Sequence, residues 1–548
     1  MAVAIKKTAA IAIAAGLTFA GSAGVALESA STAVAQVNSD PTITGDTGTL
    51  TIHKRLNPAS TGNPTGNAET NPTGTAVQGV TFKITDLGYN VKNQAAFNEA
   101  AKLTAAQAAQ RASGPNRTSI TQKTDANGEI KLENQAVGVY YVEELATGTP
   151  MVDGKAAQGL VPAPGFVVFL PMTNPQDSAA GANDAQARWN YDVHVYPKNT
   201  QSKTEKTVVD ANKNVGDVVD YAITANIPGK TNNDSLKSFN IVDAYNNAEL
   251  SAMQVKNVEI ISADGKVIET LQGGYALGDE VAYVAPNAGG IENATGSETV
   301  NVQRTISFSD LNRLEANRGQ RVRVNLTAQL MAIGAGDGDV ANRARSYGQI
   351  GYGDGTTKTF DTPETKVVTY LGKLLVNKTG DDGKALPGAT FELYRCTPGA
   401  NGAAATLINQ DGSAPDQGAK AGALKVNGAT SWTTNEQGLI TIDGLHVTDI
   451  QNSTETIDNS YCLVETKAPA GYELLTQPVV FNLKKDDRKE NTVGTTTVTL
   501  SKQVDVTNNR STTLKLPATG GMGILIVVLA GLAIIGGGAY AARRNSAA

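Results

Sequence analysis

Short apolar runs of strand length recur along most of the chain. Within a run, apolar and polar residues alternate, and Asn-Gly, Asp-Gly or Pro-Gly turn signals separate one run from the next. This pattern is typical of β-sandwiches and differs from the strand and helix alternation that builds a parallel sheet. Because 548 residues exceed the size of one compact domain, the length suggests about three domains. The sequence therefore predicts an all-β protein built from tandem sandwiches.

Two stretches of the chain follow one common pattern. Each contains a strand that ends in Lys, an alternating strand that begins with Gly, a turn, and a strand of the form Tyr-x-x-x-Glu. The first copy comprises residues 50–54, 79–84, 125–128 and 140–144, and the second comprises residues 374–378, 388–393, 435–438 and 461–465. Alternation places one face of each strand on a core. A different domain lies between the copies, so the predicted domains are residues 36–199, 200–370 and 371–510.

The N-terminus has the features of a secretory signal. Lys6 and Lys7 precede an apolar stretch from about residue 8 to residue 20, and Ala33-Val34-Ala35 offers a small-x-small cleavage site. The alternative, an ordinary buried helix, does not explain why charge, apolar segment and cleavage site come in this order. Residues 1–35 are therefore interpreted as a signal peptide and excluded from the fold.

The C-terminus combines a short motif with a segment of membrane length. The motif consists of Leu516, Pro517, Ala518, Thr519 and Gly520. An apolar run from about residue 522 to residue 542 follows, long enough to span a bilayer, and Arg543-Arg544 would hold the tail on the cytoplasmic side. A permanent single-span membrane protein is the alternative. Residues 511–548 resemble the LPXTG cell-wall sorting signal, in which sortase cleaves after Thr519 and passes its carbonyl to an amine.

Charge and composition exclude other functions. The chain has 46 basic and 52 acidic residues, a net charge of -6, which argues against nucleic acid as a partner because phosphate binding requires a basic face. The three histidines, His53, His194 and His446, lie in strand-like segments without nearby carboxylate or Cys clusters. We expect them at surface or strand positions, and we expect no metal site and no cofactor.

The repeated pattern resembles the B-type immunoglobulin-like repeat of collagen adhesins and pilins. The domain between the copies resembles the A-type sandwich of the same adhesins, and the order B, A, B resembles the LPXTG-anchored major shaft pilins of actinobacteria such as corynebacteria. The resemblance covers nearly the whole chain. It implies three immunoglobulin-like β-sandwiches and a major structural subunit of a covalent surface pilus. It implies no enzyme activity beyond single-turnover self-linking.

One segment after the first copy resembles the pilin motif. Its matching residues are Trp189, Val193, Val195, Tyr196, Pro197 and Lys198. In such proteins the Lys is the amine that attacks the acyl-sortase intermediate. Val193 and Val195 share one strand face, and Pro197 ends strand pairing because it lacks an N–H, so Lys198 is expected at a domain junction. The alternative is an ordinary exposed Lys after a strand.

The same resemblance implies internal amide bonds, each formed from a Lys and an Asn with help from Asp or Glu and with loss of ammonia. Burial lowers the pKa of a Lys and raises that of a carboxyl group, so both can be neutral. The neutral amine is then a nucleophile, and the protonated carboxyl can polarise the Asn carbonyl. The candidates are Lys378, Glu465 and Asn508 in the third domain; Lys206, Asp243 and Asn342 in the middle domain; and Lys54, Glu144 and Asn199 in the first domain.

The three sets differ in support. In the third domain, alternation places the candidates on core faces and turns Asn509 outward. In the middle domain, Asp243 continues an inward alternation, but Lys203 competes with Lys206. In the first domain, the segment around Glu144 lacks the Ala-Pro-x-Gly-Tyr continuation of the third. An unlinked core or a salt bridge is an equally acceptable interpretation there.

Both cysteines, Cys396 and Cys462, fall in the third domain. Strand parity turns both to the outward face, and an exported protein can form disulfides, so we predict that they pair. Metal ligation is not expected, because a structural zinc site needs four ligands.

These features together predict a polymer subunit in which Thr519 of one copy is joined to Lys198 of the next. The implied partners are pilus-specific and housekeeping sortases, other copies of the chain, minor pilins, peptidoglycan and, before sorting, the membrane. The implied location is the Gram-positive cell wall. The alternative is a wall-anchored monomeric adhesin on a sandwich stalk, which would need the sorting signal but not Lys198. An anchored enzyme lacks a catalytic constellation.

Overall fold

A computed structural model describes residues 43–56, 66–145, 150–157, 159–173, 189–230, 234–285, 299–331, 333, 337–353, 355–400, 403–456 and 460–511. The predicted signal peptide, the predicted sorting motif and the apolar segment after it lie outside these residues. The described part is mostly β-strand, as predicted. Across these ranges, no helix is both long and apolar enough to cross a membrane.

The first domain has three main sheets around one core. Its strands are β1 Thr47–His53, β2 Arg55–Leu56, β3 Thr75–Ala76, β4 Thr81–Asp86, β5 Ser119–Lys123, β6 Glu129–Ala136, β7 Gly138–Leu145, β8 Met151–Val152, β9 Lys155–Ala156, β10 Leu160–Val161, β11 Phe166–Leu170, β12 Met172–Thr173, β13 Trp189–Asn190, β14 Asp192–Val195 and β15 Lys198–Gln201. The sheet orders are β14-β1-β6, β10-β15-β2-β3 and β11-β7-β4-β5. Alternating residues such as Leu50, Ile52 and Phe82 fill the core between them.

Two helices cover the outer face of the β11-β7-β4-β5 sheet, and the sequence pattern did not predict them. They are α1 Gln94–Ala100 and α2 Ala105–Ala112. The side chain of Asn93 caps the first, and Thr104 forms a capping box at the second. Phe97 packs with Tyr141 and Phe169 in a second core. Because both faces of β7 and β11 are covered, these strands are buried almost throughout.

The middle domain is a sandwich of two sheets. Its elements are β16 Thr204–Val209, β17 Val218–Asn226, β18 Asp234–Tyr245, β19 Leu250–Ile261, β20 Val267–Leu271, β21 Tyr275–Leu277, β22 Val281–Ala282, β23 Val302–Phe308, α3 Leu311–Glu315, β24 Arg321–Leu330, β25 Asp339–Tyr352, β26 Thr357–Asp361 and β27 Thr365–Gly380. One sheet has the order β16-β17-β24-β19-β20, and the other contains β21-β23-β18-β25-β27. Inward residues such as Ile223, Phe239 and Val324 pack between the sheets.

The third domain continues directly from the middle domain through β27. Its further elements are β28 Thr390–Thr397, β29 Thr406–Ile408, β30 Ser431–Thr433, β31 Leu439–His446, β32 Ile450–Gln451, β33 Thr454–Glu455, β34 Ser460–Lys467, β35 Val479–Phe481, a 3-10 turn Lys485–Asp487, β36 Lys489–Val493 and β37 Thr496–Asn508. The first part of β27 pairs with β25, and its second part pairs with β31 and β37. The boundary predicted at residue 370 therefore falls inside a continuous strand.

Buried polar contacts join the middle and third domains. Asp210 accepts hydrogen bonds from the Asn452 backbone N–H and the Thr369 hydroxyl, both at 2.6 Å, and its carboxylate lies 3.4 Å from His446 Nε2. On another part of the junction, Arg488 lies 2.8 Å from Asp339. Asp210, Thr369 and His446 are buried, whereas Asn452 is exposed. The two domains are therefore docked through specific contacts in addition to the shared strand.

Candidate functional site

In the first and third domains, the candidate Lys and Asn lie on neighbouring parallel strands. In the pairing of β27 with β37, Asn508 lies opposite the residue two places after Lys378. The pairing of β1 with β14 continues into that of β2 with β15, where Asn199 lies opposite Leu56, two places after Lys54. Because side chains alternate along a strand, the Lys and Asn of each pair share a face.

The candidate acid of each of these domains comes from the facing sheet. Glu144 in β7 lies opposite Phe82 in β4, and Glu465 in β34 lies opposite Phe391 in β28. Both phenylalanines are completely buried. In both domains, a paired Phe and Glu from the facing sheet therefore lie on the same side of the site.

The first-domain set, which the sequence leaves open, is brought together completely. Lys54 Nζ donates to Glu144 Oε2 at 2.7 Å and to Asn199 Oδ1 at 2.5 Å, and Asn199 Nδ2 donates to Glu144 Oε1 at 3.0 Å. The Ala163 backbone N–H also donates to Glu144, at 2.9 Å. Lys54 and Asn199 are 0% exposed. The amine, the carboxyl and the amide therefore contact one another away from water.

The third-domain set is equally buried but differs in its contacts. Asn508 Nδ2 donates to both Glu465 oxygens, at 2.8 and 2.9 Å, and the Leu475 backbone N–H donates to Glu465 at 2.9 Å. Lys378 Nζ donates to the Val506 carbonyl at 3.3 Å, on the strand that carries Asn508. The side-chain oxygen of Asn508 has no hydrogen-bond partner, which is unusual for a buried polar atom.

Asn509 is exposed, as strand parity predicts, so the side chain available to Lys378 is that of Asn508.

The middle-domain set spans the two sheets. Lys206 in β16 forms an ion pair with Asp243 in β18, and both side chains are 0% exposed. Asn342 lies on the neighbouring antiparallel strand β25, opposite Tyr245 and diagonally across from Asp243. Its amide is fully buried, and neither its nitrogen nor its oxygen has a hydrogen bond of ordinary geometry. The competing Lys203 is exposed and pairs with Glu205, so the geometry favours Lys206.

Burial sets the protonation of these groups. Desolvation lowers the pKa of Lys54 and of Lys206, although Glu144 and Asp243 oppose the shift. Desolvation also lowers the pKa of Lys378, to about 8. It raises the pKa of Asp243, against the opposing influence of Lys206 and Asn342. In each domain burial therefore shifts the amine toward its neutral form, which is the nucleophilic one.

The pilin-motif segment spans the last three strands of the first domain, from β13 to the start of β15. Val193 and Val195 lie on one face of β14, as predicted, and both side chains lie in the core. Pairing stops over Tyr196 and Pro197 and resumes at Lys198, whose backbone lies opposite Arg55. Trp189 packs edge-on against Phe97 at 5.9 Å between ring centroids. Lys198 thus directly precedes the buried Asn199, between the first and middle domains.

The predicted disulfide between Cys396 and Cys462 is confirmed, with 5.8 Å between the Cα atoms. The two residues lie diagonally across β28 and β34. Both are 0% exposed, so a position on the outward face of these strands does not mean contact with solvent. In the part of the chain that the structure describes, no cluster of three or more His, Cys, Asp or Glu could hold a metal ion.

The sequence does not reveal the partners of the histidines. All three lie in strands, and none is fully exposed: His53 contacts His194 and Glu129, and His446 is completely buried against Asp210. These partners come from strands distant in sequence, so no local spacing signals them.

Comparison with known proteins places this geometry in a family. Residues 45–200 match the family model described as Gram-positive pilin subunit D1, N-terminal domain, and residues 372–497 match the one described as Prealbumin-like fold domain. The chain is 30% identical over 524 residues to fimbrial subunit type 1 of Actinomyces viscosus, covering 91% of this chain and 90% of that protein. It is 28% identical over 540 residues to fimbrial subunit type 2 of Actinomyces naeslundii, covering 89% and 87%.

A solved structure agrees over most of the molecule. The full-length major pilin SpaD from Corynebacterium diphtheriae superposes with a TM-score of 0.61 at 29% identity, over 85% of this chain and 98% of that one. The fold and these comparisons together define a class of structural surface proteins. The chain belongs to the family of Gram-positive pilins, the fimbrial subunits from which surface pili are built.

Proposed function

We propose that this chain is the major shaft subunit of a covalent pilus, in which sortase joins Thr519 of one subunit to Lys198 of the next. The observation that carries the proposal is the position of Lys198, in the strand between the first and middle domains and directly before Asn199. One donor signal and one acceptor lysine per chain are the minimum for an open head-to-tail fibre.

The joining reaction needs an enzyme. Sortase cleaves the bond after Thr519 and holds the acyl group, and the Lys198 amine then displaces sortase to form an amide. A free Lys is almost wholly protonated at neutral pH, so sortase has to provide the base. Before sorting, the C-terminal apolar segment holds the chain in the membrane. A housekeeping sortase then attaches the finished polymer to peptidoglycan, and minor pilins join the same fibre.

We also propose that all three buried sets form internal amides. The neutral Lys Nζ attacks the Asn side-chain carbonyl carbon, the protonated Asp or Glu donates a hydrogen bond to the carbonyl oxygen, and ammonia leaves. One C–N bond forms and one breaks, with no oxidant. The acids that assist are Asp243 and Glu465, with Glu144 in the first domain. The orphaned amide atoms of Asn342 and the orphaned oxygen of Asn508 support this proposal, because an unreacted buried amide without partners is costly.

The substitution Lys198→Ala tests the polymer directly. In cells that express the pilus sortase, wild-type wall extracts should give a high-mass ladder on a denaturing gel, and the variant should give only the wall-anchored monomer. Lys203→Ala is the matched control, because Lys203 is an exposed lysine five positions along the chain and its loss should leave the ladder intact. A ladder that persists in Lys198→Ala would refute the assignment. A single species in wild type would favour the monomeric adhesin.

A further inference from the structure

Two histidines meet on the outer face of the first domain, beside the strand that leads to Lys198. His53 lies in β1 and His194 in β14, and the pairing places Thr51 opposite His194. The Nε2 atom of His53 lies 2.8 Å from Nδ1 of His194, and the two rings stack with 5.1 Å between centroids. Their side chains are 9% and 15% exposed, respectively. The pair is therefore a side-chain bridge between two parallel strands in a partly dry environment.

The contact requires at least one of the two rings to be neutral. His53 Nε2 and His194 Nδ1 lie 2.8 Å apart, so one of these nitrogens donates and the other accepts. On the other side of its ring, His53 Nδ1 lies 2.9 Å from Glu129 Oε1. When both rings are protonated, both facing nitrogens carry an N–H and two positive charges meet. Acidification that protonates both rings therefore breaks the bridge.

Several further groups surround the pair. Glu129 attracts a proton to His53, whereas His194 and the nearby Arg55 oppose it. His194 Nε2 lies 3.4 Å from Asp192, which is largely exposed. Lys131 lies opposite Thr51 on β6, but its amine is paired with Glu133 at 2.7 Å.

The ring of Tyr196, another pilin-motif residue, covers His53. The two rings are nearly parallel, with 4.4 Å between centroids, and the Tyr196 hydroxyl accepts a hydrogen bond from the Glu69 backbone N–H. The strand β14 is also tied by its His194 N–H, which donates to the Gly66 carbonyl at 2.9 Å. The bridge thus lies within a small packed unit that includes the residues just before Lys198.

We propose that His53 and His194 are positioning residues that hold the acceptor strand in place at neutral pH and release it on acidification. The proposal rests on the proposed function of Lys198 as the acceptor. Because β14 runs through Tyr196 and Pro197 directly into Lys198, loss of the bridge loosens the segment that presents the amine. We expect a held lysine to be a better acceptor than a loose one, since a fixed position lowers the entropic cost of reaction.

The direction of the pH effect follows from the histidine environment. Burial is the largest influence on His53 and lowers its pKa below the ordinary value of 6.5. A group whose folded pKa is lowered binds its proton more readily once the strand opens. The bridge therefore contributes fully above the ordinary pKa and loses its contribution as pH falls through the folded pKa. In that range, opening of β14 should increase by about tenfold per pH unit at most.

Hydrogen exchange on the whole secreted chain tests the bridge itself. The readout is the protection of the Val193 and Val195 amides between about pH 7.5 and pH 5, corrected for the intrinsic exchange rate. Wild type should lose severalfold protection on acidification, and so should the control His446→Gln, which alters the third histidine. His53→Gln should show no pH dependence, whatever its absolute protection. If the protection of these amides changed equally with pH in wild type and in His53→Gln, the proposal would be overturned.

A second measurement asks whether the bridge matters for joining. The first rate is that at which pilus sortase joins a peptide containing residues 516–520 to the folded chain. The second is the rate of the same reaction with a free peptide of residues 189–199 as the acceptor. Dividing the first rate by the second removes the pH dependence of sortase. This ratio should fall on acidification in wild type and stay flat in His53→Gln. A flat ratio in wild type, despite altered exchange, would overturn the positioning role and leave the proposed function standing. Failure to join at Lys198 at any pH would instead overturn the proposed function.

Discussion

The first and middle domains arrange the same three kinds of side chain in opposite ways. In the first domain, Lys54 and Asn199 share one sheet and Glu144 reaches them from the facing sheet. In the middle domain, the acid and the amide are neighbours on one sheet, and the lysine crosses the core. An amide in the first domain would join adjacent parallel strands, whereas one in the middle domain would join the two sheets.

The environments of these two sites are nevertheless alike. Lys54 lies over the Phe82 ring at 5.6 Å, and Lys206 lies over the Tyr221 ring at 5.1 Å. Both amines are fully buried, and burial lowers the pKa of both. The comparison suggests that the proposed linking chemistry would depend on a dry, aromatic-lined contact between amine, acid and amide. It would not depend on which sheet supplies each group.

The largest expected effect is the complete loss of one amide when one acid is removed. The secreted wild-type chain should be lighter than its sequence by three molecules of ammonia. Glu144→Ala, Asp243→Ala and Glu465→Ala should each restore the mass of one ammonia, because each removes the group that polarises its Asn carbonyl. Intact mass spectrometry measures this, and peptide mapping assigns the missing link to its domain.

The neighbouring half-buried Glu143 supplies the control for this series. Glu143→Ala should keep all three amides, since its side chain alternates away from Lys54. If Glu144→Ala still loses three ammonias, the first-domain acid has another role and the likeness between the two sites fails.

A second prediction separates the domains by mechanical load. Tension in the proposed fibre enters at Lys198 and leaves at Thr519, so it crosses the middle and third domains and bypasses the first. The amides would carry force from Lys206 to Asn342 and from Lys378 to Asn508. Single-molecule pulling between Lys198 and the C-terminus should therefore show no unfolding step of full-domain length.

The variant Asn342→Ala should restore one long step, from the middle domain alone. Asn199→Ala should add none, because the first domain lies outside the load path. Full-length steps in wild type would contradict the proposed links in the loaded domains.

The proposed amide in the middle domain would not connect its first and last strands. Asn342 lies in β25, and β27 follows it as the strand shared with the third domain. Force leaving Asn342 would therefore pass through the β25 and β27 pairing before it reaches Lys378.

Much of this arrangement follows from the sequence, because alternation along strands places side chains on known faces. Parity alone correctly places Asp243, Glu465 and Asn508 in cores. It could not decide the first-domain set, because the contact of Lys54 with Glu144 depends on how two sheets face each other. The sequence pattern did not predict helices α1 and α2 because the prediction rested on strand alternation, which does not detect an Ala-rich segment with capped ends.

The smallest expected effect is on the pH dependence of stability in an unlinked third domain. In Asn508→Ala, Lys378 keeps a titratable amine with a pKa of about 8, below its ordinary value of 10.5. Lys378 then binds a proton more tightly in the unfolded chain than in the folded chain. The unfolding free energy should therefore rise as pH increases from about 8 to about 10.5. The slope is about 1.4 kcal/mol per pH unit at most. Denaturant unfolding at several pH values measures it against the linked wild type, which should lack this slope.

The most direct test of the account is the covalent structure of the polymer itself. High-mass material from the cell wall is digested with a protease, and branched peptides are sequenced by tandem mass spectrometry. The account predicts one inter-subunit branch, in which the Thr519 carbonyl is bonded to the Lys198 side-chain nitrogen. A polymer whose Thr519 is bonded to a different lysine, or one without any Thr519 branch between subunits, would contradict it.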